Sequence, residues 1–125
     1  MNSFVIVAAG GALGASLRHL VSAVSLRVWG PGFPWGTLIV NIAGCFAMGV
    51  LVEVLARRFN ATNELRLFLA TGVLGGFTTF SAFSLDTAVL WERGASTAAM
   101  GYVAASVAGS ILAVFAGLWL ARSVG

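Results

Sequence analysis

A chain of 125 residues that is 59% hydrophobic and 9% charged cannot hide its apolar side chains in a water-soluble fold, because a domain this small keeps much of its surface in water. A membrane-embedded class follows, and at about 20 apolar residues per span the length allows about four helices and no second domain. The net charge of +3 does not point to nucleic acid, since all seven basic residues are arginines, scattered and mostly near predicted span ends.

The start, MNSFVIVAAGG, carries no basic n-region, so a cleaved leader is not expected. The first predicted span covers residues 3–26 and contains Arg18. Its Gly10, Gly11 and Gly14 follow no strand and read as helix-packing positions rather than a phosphate loop. The connector that follows holds Trp29, Gly30, Pro31, Gly32, Pro34 and Trp35. Proline and glycine stop the helix there, and tryptophans favour the membrane interface. The second span covers residues 36–56; its Cys45 has no partner cysteine in the chain and reads as a small packing residue. A polar loop over residues 57–66 carries Arg57, Arg58, Asn60, Asn63, Glu64 and Arg66.

The third span, residues 67–90, contains the most informative segment, GVLGGFTTFSAFS (residues 72–84). Its glycines and hydroxyl residues are poor material for an uninterrupted membrane helix. Broken backbone is tolerated at that depth only where it is buried in protein or lines a polar cavity. A tight connector at residues 91–94 leads to the fourth span, residues 98–121. There Gly101, Ala105, Gly109, Ala113 and Gly117 form a small-residue stripe, which suits close packing against a helix of the same chain or of a partner.

Charge leaves the orientation open. One side of a four-span chain would carry Arg57, Arg58, Arg66 and Arg122; the other would carry Arg27 and Arg93, with Arg18 nearer to it. Arginine bias sets topology, and this bias is small. It fits either a weak preference for the N-terminus inside or insertion both ways as an antiparallel homodimer. Four helices alone have no room for a pore at their centre, so an oligomer is expected.

Four polar features fall at membrane depth. They are Thr37 with Asn41; Thr78, Thr79, Ser81 and Ser84 in the break; Tyr102, Ser106 and Ser110 on one helix face; and Arg18. A lone serine or threonine in such a helix ordinarily bonds back to its own backbone. Several together can form a chain of donors for a polar solute. No carboxylate sits mid-span, as Glu53 and Asp86 fall toward span ends. Proton-coupled exporters and cation pores usually rely on carboxylates or carbonyl filters, whereas hydroxyl and amide donors suit a small anion. Phe80 and Phe83 share a face, and the positive edges of their rings can contact an anion. The single histidine, His19, has no companion ligands, and no serine has triad partners. An enzyme is therefore not expected.

Three segments together, GGALGASLRH (residues 10–19), WGTLIVNIAGCFAMG (residues 35–49) and GGFTTFSAFS (residues 75–84), resemble the Fluc/CrcB fluoride channels, over all four spans. The resemblance implies a single all-α transmembrane domain over residues 1–125 with a broken third helix, assembled as an antiparallel dual-topology homodimer in the bacterial inner membrane. It implies two fluoride pathways and a structural, untransported sodium ion held by the carbonyls of Gly75 and Thr78 of each subunit. The family's anion path corresponds to Phe80, Phe83, Asn41, Tyr102, Ser106 and Ser110, with Thr79, Ser81 and Thr37 beside it. Arg18 corresponds to an arginine near the wide vestibule. The chain departs from the family's pattern at Ala82, where a hydroxyl residue is frequent, and at Asp86, where a glutamate is common. A small multidrug-type antiporter would need a first-span carboxylate that is absent here; a non-transporting assembly subunit would need no polar track.

Overall fold

The computed structural model describes residues 2–57 and 62–124; Arg58 and Asn60 of the second connector lie outside them. The described chain is all helix. Helix α1 spans Ser3–Trp29, α2 Trp35–Arg57, α3 Asn63–Arg66, α4 Gly75–Phe77, α5 Phe80–Glu92 and α6 Ser96–Val124, with a π-helical stretch, Leu67–Leu74, between α3 and α4. Four long apolar segments result, of which Asn63–Glu92 is the composite third. At about 1.5 Å per residue, even the 23-residue α2 reaches about 35 Å, enough to cross a hydrocarbon core of about 30 Å.

Each span runs beyond its expected limits, because no breaker stands where the apolar run stops. Helix α1 continues past Leu26 until Gly30, whose φ of 77° only glycine adopts at no steric cost. Its amide donates to the Leu26 carbonyl at 2.8 Å. At the start of α1, Asn2 Oδ1 accepts from the Phe4 amide at 2.7 Å, an N-cap. Thr62 does the same for α3 through the Leu65 amide at 3.1 Å.

The interruption of the third span is narrower than the sequence led us to expect. Residues 72–77 are helical, and only Thr78 and Thr79 are extended. The glycines before the break serve packing instead. A Cβ on Gly10 would come within 2.9 Å of Gly72 Cα, and one on Gly76 within 2.7 Å of the Gly11 carbonyl oxygen. Backbone thus meets backbone where α1 crosses the third span. A second close crossing joins α2 to α6: a Cβ on Gly49 would lie 2.9 Å from Leu118 N, and one on Gly117 2.9 Å from Val50 N. Small residues allow this approach.

The fourth-span stripe therefore divides. Gly117 and Gly109 face α2, the latter against Ile42, while a Cβ on Gly101 would meet open space. The α2–α6 pair is closed at one end by ions. Buried Glu53 accepts from Arg122 Nε at 2.7 Å and also pairs with Arg57. Most remaining large apolar side chains, among them Phe4, Leu112, Phe115 and Trp119, are exposed. A surface of that kind is suited to lipid or to a partner subunit, and the molecule is a multi-pass membrane protein.

Candidate functional site

Asn41, half-buried on α2, ties down the broken backbone. Its Oδ1 accepts from the Thr79 amide at 2.7 Å, and its Nδ2 donates to the Thr79 carbonyl at 3.0 Å. The structure shows a two-point clamp, with one Nδ2 hydrogen still to place. Thr79 is also the cap of α5. Its Oγ1 accepts from the Ala82 amide at 3.1 Å and lies 3.2 Å from Ser81 Oγ.

These bonds redirect the donors that a continuous helix would send backward. The Thr79 amide goes to Asn41 and not to the Gly75 carbonyl; the Ala82 amide goes to Thr79 Oγ1 and not to the Thr78 carbonyl. Both carbonyls are released from the i+4 ladder, and such groups need other partners in a membrane. They are hard oxygen donors of the kind that suits an alkali cation. Gly76 lies between them in the chain, and its carbonyl accepts from Arg18 Nε at 3.1 Å. Arg18 thus holds the C-terminal end of α4, where a cation complements the helix dipole.

A cavity of about 330 Å³ opens beside the break, between α2, α5 and α6. Asn41, Thr79, Phe80, Phe83, Ser106 and Ser110 line it, with Cys45, Val107 and Ile111 completing the wall. Phe80 and Phe83 present their rings together, centroids 5.4 Å apart. Ser106 is 4% exposed, and its Oγ has no hydrogen-bond partner among the described residues. A buried hydroxyl ordinarily finds a partner; the Tyr102 hydroxyl stands close enough to interact with it, and no hydrogen bond of good geometry forms between them, so the Ser106 donor can also turn to an occupant of the cavity. Helix α5 begins at the same wall. Its first amides, at Phe80 and Ser81, have no preceding turn to bond to, which gives the helix end a partial positive charge.

Not every expected path residue is gathered there. Tyr102 is fully buried and stands beyond the cavity, its hydroxyl 3.2 Å from Asp86 Oδ2. Thr37 and Asp86 line a second cavity of about 380 Å³, under the α1–α2 connector. Ser81 is exposed, and Thr78 lines the first cavity while its Oγ1 bonds to the Leu74 carbonyl at 3.0 Å. The sequence reading missed the Arg18–Gly76 contact and the contribution of Phe33, whose ring is 5.4 Å from that of Tyr102. Phe33 sits in a Gly-Pro-rich connector whose sequence signals a helix stop and interfacial tryptophans but gives no sign that this ring turns into the bundle.

The chain as a whole is similar to known proteins. Residues 5–118 match the family model described as CrcB-like protein, Camphor Resistance (CrcB). A protein of Chelativorans sp. (strain BNC1) named fluoride-specific ion channel FluC is 66% identical, covering 99% of both chains. Proteins of the same name from Mesorhizobium japonicum and Agrobacterium fabrum are each 58% identical, again over 99% of both chains. With its broken third span, its cavity of hydroxyls and rings, and this whole-length likeness, the chain belongs to the CrcB family.

Proposed function

We propose that this protein is a fluoride-selective passive channel that lets cytoplasmic fluoride leave down its electrochemical gradient. The observation that carries the reading is the Ser106 hydroxyl, buried with no hydrogen-bond partner of good geometry among the described residues, in a cavity that also holds Ser110, two phenylalanine rings and the start of α5. Fluoride is small and strongly hydrated, so its dehydration is costly. Hydroxyl donors, the spare Asn41 N–H, helix-end amides and ring edges replace that water without a fixed positive charge, and an ion held this way is able to leave. The names of the relatives support the choice of anion.

The site residues divide the work. Ser106, Ser110, Thr79 and the rings of Phe80 and Phe83 contact the anion; Asn41 holds the break and lends one donor. Tyr102 and Thr37 continue the track toward the second cavity, Ser81 supports Thr79, and Arg18 steadies α4 near the vestibule. The Gly75 and Thr78 carbonyls of two subunits hold a structural sodium ion, which links the subunits electrostatically.

A second copy of the chain is part of this reading. Gly75, Phe80 and Ser81 are exposed at the break, at a depth where polar backbone cannot face lipid. A two-fold partner covers them and completes the path. The near-balance of arginines between the two sides supports an antiparallel, dual-topology pair in the bacterial inner membrane.

The test is anion efflux from liposomes holding the purified protein, with valinomycin clamping the voltage and ion-selective electrodes following release. Fast fluoride release with chloride retained is the expected result. Retention of fluoride by a well-folded preparation would sink the channel reading.

A further inference from the structure

The two cavities are separated by a stack of three aromatic rings. Phe83 borders the cavity at the break, Phe33 borders the cavity under the connector, and Tyr102 lies between them. Ring centroids are 5.3 Å apart for Phe83 and Tyr102, and 5.4 Å for Phe33 and Tyr102. Phe33 and Tyr102 meet edge to face, at 88°, an arrangement the ring quadrupoles favour. Tyr102 is fully buried and its hydroxyl is tethered to Asp86 Oδ2 at 3.2 Å, so the ring keeps its place through that bond at its tip and these two neighbours at its faces. Of the three rings, only Phe33 lies outside a helix.

Its position is nonetheless held from several sides. The Phe33 carbonyl accepts from the Trp35 amide at 2.9 Å. Phe33 packs on Trp35 at 4.7 Å, and Trp35 on Trp29 at 5.9 Å, which ties the connector to the interfacial ends of α1 and α2. On the other side, Arg93 Nη2, from the turn after α5, donates to the neighbouring Gly32 carbonyl at 2.6 Å. The ring is thus a part of the connector that reaches into the bundle and bears on the track.

We infer that Phe33 is a positioning residue of the anion path: by bracing the Tyr102 ring, it keeps the Tyr102 hydroxyl in line between the two cavities. The inference rests on the channel reading above and extends it to a connector residue. Loss of the aromatic edge lets Tyr102 swing, which disorders the passage and slows flux. The ring, not its bulk, does this, so another aromatic residue substitutes for it.

Tyr102 is the only tyrosine in the chain, so 3-fluorotyrosine labelling yields one ¹⁹F resonance from the whole protein. Phe33→Leu is expected to shift or broaden that resonance and to lower fluoride efflux about two- to tenfold, the range of an aromatic pair contact. Phe33→Trp is expected to restore both. Arg93→Gln, which keeps all three aromatic side chains but removes the anchor on the Gly32 carbonyl beside Phe33, is expected to loosen the Phe33 ring, and so to move the resonance and reduce flux in the same direction. It serves as the test should Phe33→Leu fail to assemble. Conducting wild-type vesicles, with an unmoved resonance and unchanged efflux in either variant, would overturn the inference alone. Wild-type vesicles that retain fluoride would overturn the channel reading, and this inference with it.

Discussion

At the scale of single residues, the proposed anion site combines a few unfinished donors with others that are fully spent. Ser106 is buried with its hydroxyl unspent among the described residues, whereas Asn41 spends most of its amide on Thr79. Ser106→Ala should therefore lower fluoride efflux about tenfold, as expected for one hydrogen bond to a charged partner, with the thermal midpoint in detergent almost unmoved. Asn41→Ala should do more. It strands the Thr79 amide and carbonyl, so a destabilisation of about 1–3 kcal/mol should accompany the loss of flux, read by thermal unfolding beside efflux. Phe80→Ile and Phe83→Ile should each cut flux while assembly survives; wild-type flux in both would remove the rings from the path. The identities of these residues were legible in the sequence. Their bonding was not, because Asn41 and Thr79 are 38 positions apart and no local pattern shows which backbone group the amide will meet.

Among the elements, glycine placement decides how near the helices come. The sequence marked residues 72–84 as unfit for a regular helix, yet the glycine half is helical and only two threonines are extended. The missing information was the partner: Gly72 and Gly76 lie against α1, which makes a helix of poor intrinsic propensity worth forming. Gly14 and Gly11 provide a paired test. A Cβ on Gly14 would run into the Val73 carbonyl and come within 2.9 Å of the Phe77 amide nitrogen, while one on Gly11 would meet nothing within 4 Å. Gly14→Ala should thus impair assembly and flux, and Gly11→Ala should be tolerated, as judged by monodispersity after extraction and by efflux. The fourth-span stripe shows the same limit of sequence reading. Its members look equivalent along the chain, but Gly109 and Gly117 pack on α2 while Gly101 does not.

For the whole molecule, the proposed pairing of two copies rests on the exposed break. The carbonyls of Gly75 and Thr78 have lost their helical donors to Asn41 and Thr79, and two subunits together offer four such oxygens to a cation. Exhaustive replacement of sodium by a large organic cation should therefore inactivate the channel slowly, over the time the ion takes to leave. Unchanged efflux afterwards would count against the ion site. In the proposed dimer, where a second copy completes the path, flux should be lost together with dimer integrity and not before it.

The sequence by itself determined the class of the molecule, the number of spans, the location of the interruption and the chemistry of its lining. These follow from composition, from apolar run length and from the conformational preferences of glycine, proline and hydroxyl residues, all of which act locally. Only the tertiary structure decided which polar groups are spent and which are spare, that Arg18 holds α4, and that Tyr102 and Thr37 lie apart from the cavity at the break. Those outcomes depend on which backbone and side-chain atoms from distant segments come within hydrogen-bond or contact distance, and that is settled by helix packing.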